Sequence, residues 1–175
     1  IAAIVDDGPT QVGVESTVVD MAADVPTILR PGAVTQQQLE DVLGIHVLDA
    51  TSTMSVADDV TPKAPGMKYR HYAPDKQVVM FDRLDALALK VSLAPTDVVM
   101  AQEETLQRMA LPLAQTWSLG TTLENATEQL FAGLRYYDDV AHVKTIYVEK
   151  MPPIGLGKAF NNRLGKASGN QEYQG

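Results

Sequence analysis

QVVMFDRLDALALKVSLAPTDVVMAQ, residues 77–102, reads as strand, helix, strand. QVVMFD and DVVMAQ are short apolar strand candidates, and DRLDALALKVSL between them carries a helical pattern. The same alternation continues to the end of the chain. EETLQRMA (103–110) and TTLENATEQLFAGLRYYDDVA (121–141) are helical, QTWSLG (115–120) and KTIYVEK (144–150) are strand candidates, and LGKAFNNRLGKAS (156–168) closes as a helix. In the longest pattern Leu123, Ala126, Leu130, Leu134 and Tyr137 recur at helical spacing, and Thr121 or Thr122 can cap its start. Strands alternating with helices imply parallel pairing through right-handed crossovers. Residues 77–175 are therefore expected to form a small Rossmann-like α/β domain with a parallel sheet.

Upstream the pattern changes. Residues 51–76 are rich in Ser, Thr, Asp and Pro without sustained periodicity, the composition of a linker. Residues 1–50 offer a strand at IAAIVD, a turn at DGPTQVG, a second strand at VESTVVDM and a short strand ending in a Pro-Gly turn at TILRPG. Thr35 can cap a helix over QQQLEDVLG, with Leu39, Val42 and Leu43 as its apolar stripe and Gly44 as its stop. So few elements in ~50 residues are too little for an independent core. That shortage, and an opening in mid-strand without Met, lead us to expect the tail of a domain that begins further upstream.

Composition narrows the chemistry. The 175 residues are 45% hydrophobic and 21% charged, ordinary for a soluble globular chain. No apolar run approaches the roughly 20 residues of a membrane span. The first residues lack the basic start and cleavage site of a signal peptide. With no cysteine there is no disulfide or thiolate site, which fits a reducing compartment such as the cytoplasm. A net charge of −8 argues against a broad grip on nucleic acid, and direct tRNA contact is not expected. Residues 1–75 hold eleven acidic and only four basic residues, Arg30, Lys63, Lys68 and Arg70. Three of those four lie in or near PGMKYRHYAP, residues 65–74, where Lys68, Tyr69, Arg70, His71 and Tyr72 are consecutive. Such focusing suits either an anionic ligand or pairing with neighbouring carboxylates.

Other groups are open to two readings. Ser16 in GVESTVVD could donate to a substrate carboxylate or be a strand-edge serine satisfied by backbone. It lacks the second Gly and following helix of a nucleophile elbow, so a hydrolase using Ser16 and His71 is poorly supported. Arg30 in ILRPG ends an apolar strand, where it can snorkel or fork onto a phosphate. Gly155 and Gly157 precede a helix bearing Lys158, Arg163 and Lys166, but the spacing matches no phosphate loop. Those cations are expected to complement the dipole of the last helix. His46, His71 and His142 lack metal-ligand spacing, so no protein metal site is expected.

Together DDGPTQVGVESTVVDM, ILRPG, PGMKYRHYAP and GLGKAFNNRLGKA resemble, in order and spacing, the long two-domain threonylcarbamoyl-AMP synthases of the YrdC-like family. The resemblance covers essentially the whole chain. It implies that residues 1–50 are the end of a YrdC-like catalytic α/β domain, 51–76 the interdomain linker and 77–175 the C-terminal domain. It also implies a nucleotidyltransferase that makes threonylcarbamoyl-AMP and pyrophosphate from ATP, L-threonine and bicarbonate, with Mg2+ arriving on the nucleotide. The product would pass to a threonylcarbamoyl-transfer complex that modifies tRNA. On this likeness Ser16 matches a threonine-binding position and Arg30 an ATP-binding one. Tyr69 or Tyr72 reaches the nucleotide, and Lys68, Arg70 and His71 belong to the lid. The family's upstream lysine, arginine and Ser-x-Asn groups have no counterpart here, so this piece alone is expected to be inactive. The rival expectation is a non-catalytic nucleotide-binding or regulatory module in residues 77–175.

Overall fold

The computed structural model describes residues 2–5, 8, 12–52 and 73–175. The five side chains from Lys68 to Tyr72 lie outside the described residues.

Residues 73–175 are organised by a four-stranded, wholly parallel sheet. Its strands are β4 (Gln77–Phe81), β5 (Asp97–Ala101), β6 (Thr116–Ser118) and β7 (Thr145–Glu149), in the order β4-β7-β5-β6. Their connections are the helices α2 (Ala86–Ser92), α3 (Glu103–Met109) and α4 (Leu123–Asp138), and α5 (Leu156–Ser168) follows β7. All four strand positions and all four helices agree with the alternation read from sequence.

Side-chain alternation along the strands sorts the two faces. Val78 and Met80, Val98 and Met100, and Ile146 and Val148 point to the face covered by α4 and α5, where Leu130, Leu134, Phe160 and Leu164 are buried. Phe81, Val99 and Ala101 point the other way, onto Ala86 and Leu89 of α2 and Met109 of α3. The result is a three-layer α/β/α unit with a core on each side of the sheet. Full burial of a leucine such as Leu130 contributes about 1.5–3 kcal/mol.

Local chemistry fixes the ends. The Thr122 hydroxyl accepts from the Asn125 N–H at 3.2 Å and starts α4. The Asn161 side chain accepts from the Met151 N–H and donates to the Met151 carbonyl, tying the turn after β7 to α5. The final residues run beside the outer strand β4, with Met80 N–H donating to Gln171 O and Tyr173 N–H to Met80 O. That tail covers an edge otherwise open to pairing.

The first region is slighter. β1 (Val18–Asp20) pairs antiparallel with β2 (Thr27–Arg30), and β2 pairs parallel with the two-residue β3 (Leu48–Asp49). Between them lies α1 (Gln36–Leu43), begun by a reciprocal Thr35–Gln38 capping box and stopped by Gly44 at φ 68°. Two expectations need correction. IAAIVD does not form a strand over its described residues 2–5, and Ile4 and Val5 are 81% and 98% exposed, with no pairing to bury them. The second strand is shorter than VESTVVDM, because residues 14–17 turn from the ladder toward Arg30 and α5.

Candidate functional site

The site begins with two close approaches of backbone. A Cβ on Gly13 would lie 2.1 Å from the Thr127 carbonyl oxygen of α4, so only glycine lets the chain pass there. A Cβ on Gly32 would lie 2.3 Å from the Glu15 carbonyl oxygen and 2.4 Å from the Thr17 nitrogen. The Pro31-Gly32 turn thus rests directly on residues 15–17, and the two segments named from sequence meet.

Arg30 closes the contact. Its Nε donates to the Ser16 carbonyl at 3.0 Å and an Nη to the Ser16 hydroxyl oxygen at 3.1 Å. The hydroxyl oxygen accepts, which leaves its own proton to donate outward, and Ser16 is exposed. A guanidinium cannot take a proton, so Arg30 is no general base for Ser16. The pair is arranged to receive an anion: an O–H donor beside a planar cation. Thr17 braces the segment by donating to the Val34 carbonyl at 2.6 Å.

Behind this pair stands α5. Arg163, only 3% exposed, forms an ion pair and hydrogen bond with Glu15 through its Nε. Its remaining nitrogens reach the Pro31 carbonyl at 3.4 Å and the Asn162 side chain at 2.7 Å. Burial pushes the Glu15 carboxyl up, but the Arg163 hydrogen bond and the Arg163 and Arg30 charges hold it below its ordinary 4.5. Burial lowers the Lys166 ammonium, and the positive Arg163 and Arg30 nearby lower it further against the pull of Glu15. Lys158 pairs with Asp49 at 3.2 Å, and Thr51 and Lys158 keep that carboxyl below its ordinary 3.8 despite burial. Arg163 and Lys158 therefore join the two regions, and the expectation that they serve the helix dipole is corrected.

An open cleft of about 320 Å³ lies beside this junction, between α1 and the start of α5, with Ile28, Thr35, His46, Asp49, Ile154 and Lys158 on its walls. Ser16 and Arg30 do not line it. His46 sits on Glu40 at 2.7 Å. Among the described residues no three His, Asp or Glu side chains cluster as a metal site, so these residues do not fit a resident metal.

A family described as threonylcarbamoyl-AMP synthase, C-terminal domain, matches residues 34–169. The chain belongs to this family. It is 37% identical to the threonylcarbamoyl-AMP synthase of Bacillus subtilis and 36% to that of Pyrococcus abyssi, over 98% and 97% of its own length and 50% of each relative. The Schizosaccharomyces pombe synthase is 30% identical over 96% of this chain and 45% of its own. The fold is similar to the crystal structure of P. abyssi Sua5 complexed with L-threonine, at TM-score 0.75 and 34% identity over 95% of this chain and 49% of that one. A P. abyssi Sua5 variant with an adjacent histidine and tyrosine changed to alanine matches at TM-score 0.74 and 33% identity, over 94% of this chain and 48% of that one. The chain spans about half the length of the threonylcarbamoyl-AMP synthases it matches.

Ser16 and Arg30 are brought together as a contact pair, which their spacing of 14 residues does not announce. Nothing in the local sequence pairs Glu15 with Arg163, 148 residues apart. A signal for them exists, because Arg163 shares the apolar face of α5 with Phe160, Leu164 and Ala167. A charge on a buried face requires a partner.

Proposed function

We propose that this chain is the C-terminal half of a threonylcarbamoyl-AMP synthase, with the end of the YrdC-like domain in residues 1–50, a linker over 51–76 and a Rossmann-like domain over 77–175. The observation that carries the reading is the Arg30 fork on the carbonyl and the exposed hydroxyl of Ser16. Support comes from the likeness to a Sua5 complexed with L-threonine.

In this reading threonine and bicarbonate lose water to give a carbamate. A carbamate oxygen then attacks the α-phosphorus of ATP and pyrophosphate departs. The reactants are both anionic, so positioning and charge neutralisation supply most of the catalysis. Ser16 donates its proton to the threonine carboxylate, and Arg30 faces the nucleotide phosphates. Magnesium is assigned to the nucleotide. Carbamates and acyl adenylates hydrolyse, so a cover that excludes water protects the product. Lys68, Tyr69, Arg70, His71 and Tyr72 are assigned that role. The product goes to a threonylcarbamoyl-transfer complex for tRNA modification in the cytoplasm. The relatives are about twice as long, and the 175-residue chain is expected to be inactive by itself.

The test is pyrophosphate release by the full-length parent, dependent on ATP, threonine and bicarbonate together. Ser16→Ala and Arg30→Ala are expected to lose most of it, and the 175-residue chain to show none. Unchanged rates in both variants would sink the site. Unchanged rates in Tyr69→Ala, Arg70→Ala and Tyr72→Ala would sink the lid.

A further inference from the structure

Phe160, Leu164 and Ala167 of α5 are at most 5% exposed, and Arg163 at 3% lies among them on the same face. A cation there needs partners with good geometry. It takes Glu15 and the Pro31 carbonyl. Glu15 is the residue before Ser16, and Pro31 is the residue after Arg30. One guanidinium therefore bonds both segments one residue away from both groups of the site. The segments touch there through Gly32, and Arg30 spans them to Ser16.

We propose that Arg163, supplied by the last helix, is a positioning residue that sets the place of Ser16 relative to Arg30 and thereby the affinity for threonine. The proposal rests on the assignment of Ser16 and Arg30 given above. It gives the C-terminal unit a part in substrate binding without touching substrate. The guanidinium presents its donors in a rigid planar fork that the compact ammonium of lysine does not reproduce, so lysine is a poor replacement. The Lys158–Asp49 pair also joins the two regions, but it ends on β3 opposite Ile28 of β2 rather than on Glu15 or Pro31.

The experiment uses the full-length parent, with L-threonine titrated by calorimetry and kcat and KM for threonine measured beside it. Arg163→Met is expected to weaken threonine binding by about 10-fold, and to lower kcat/KM for threonine by about 100-fold, the scale of an ångström-sized misplacement. Arg163→Lys is expected to recover only part of that loss. Lys158→Met, which cuts the other contact, is expected to stay near wild type. If Arg163→Met does not fold, Arg163→Lys and the shape-preserving Glu15→Gln decide, each with raised KM while the amides of β5 and β7 keep their protection. Wild-type affinity in folded Arg163 variants overturns the proposal while leaving the Ser16 and Arg30 reading intact. An equal loss in Lys158→Met also overturns it, since docking in general would then be the cause. A wild-type parent that does not bind threonine removes the site reading and this proposal with it.

Discussion

Residues 12–52 and residues 73–175 both hold strands and helices, yet they bury side chains very differently. In the second region β4, β5 and β7 are covered on both faces, and the core runs from Val78 to Ala167. In the first, Ile28 and Val47 are the buried aliphatic side chains, and α1 buries none of its residues. Met21, Val34, Val42, Ile45 and Leu48 stand exposed there. What holds the first region in place is a few specific contacts with α4 and α5: Gly13 on Thr127, Glu15 on Arg163 and Asp49 on Lys158. The comparison teaches that the self-sufficient region is a support, while the region bearing Ser16 and Arg30 borrows its order.

The comparison breaks most readily at the cores. Leu130→Ala is expected to cost about 2–5 kcal/mol, because the residue is fully buried between sheet and helices. Leu39→Ala in α1 is expected to cost about 1 kcal/mol or less. Denaturant melts of both variants check this, and equal losses would show a shared core.

Next in size is Gly13→Ala, whose added methyl meets the Thr127 carbonyl at 2.1 Å. Overpacking of this kind costs about 1–3 kcal/mol. The loss is expected to appear as faster amide exchange over residues 12–30, with β5 and β7 unchanged.

A smaller effect separates the helices. Thr122→Ala removes the hydroxyl that caps α4 and is expected to cost about 1 kcal/mol in a global melt. Thr35→Ala removes an equivalent cap from α1 but is expected to leave the global melt unmoved and loosen only its own region.

The smallest effect is on pH. Folded Glu15 and Asp49 titrate below their ordinary 4.5 and 3.8, so their contribution is complete above those values and is lost as pH falls through the folded ones. Buried Glu149 has the opposite sign: desolvation raises it against hydrogen bonds from Gln102 and Thr105, so its charging costs stability as pH rises past 4.5. Acid is thus expected to loosen the first region from α5 before it harms the sheet. Exchange followed from pH 6 to 3 in wild type and Glu15→Gln checks this, with a flatter acid limb expected in the variant.

These differences explain what the sequence made legible. The strands of residues 77–149 were readable because short apolar runs alternate with helical stripes, and that pattern is dictated by burial on both sheet faces. Residues 2–5 misled because an apolar run signals a strand only if something pairs with it. Ser16 and Arg30 drew attention through residue type, but their contact depends on Gly32 and on a turn geometry that spacing does not encode. The Glu15–Arg163 pair spans 148 residues, beyond any local pattern.

Hydrogen exchange on the 175-residue chain and on its full-length parent tests the dependence of the first region most directly. In the short chain, amides of β5 and β7 are expected to be strongly protected and those of β1 and β2 to exchange far faster. In the parent, protection of β1 and β2 is expected to rise toward that of the sheet, and to fall again in Arg163→Met. Equal protection of both regions in the short chain, unchanged in the parent, would contradict it.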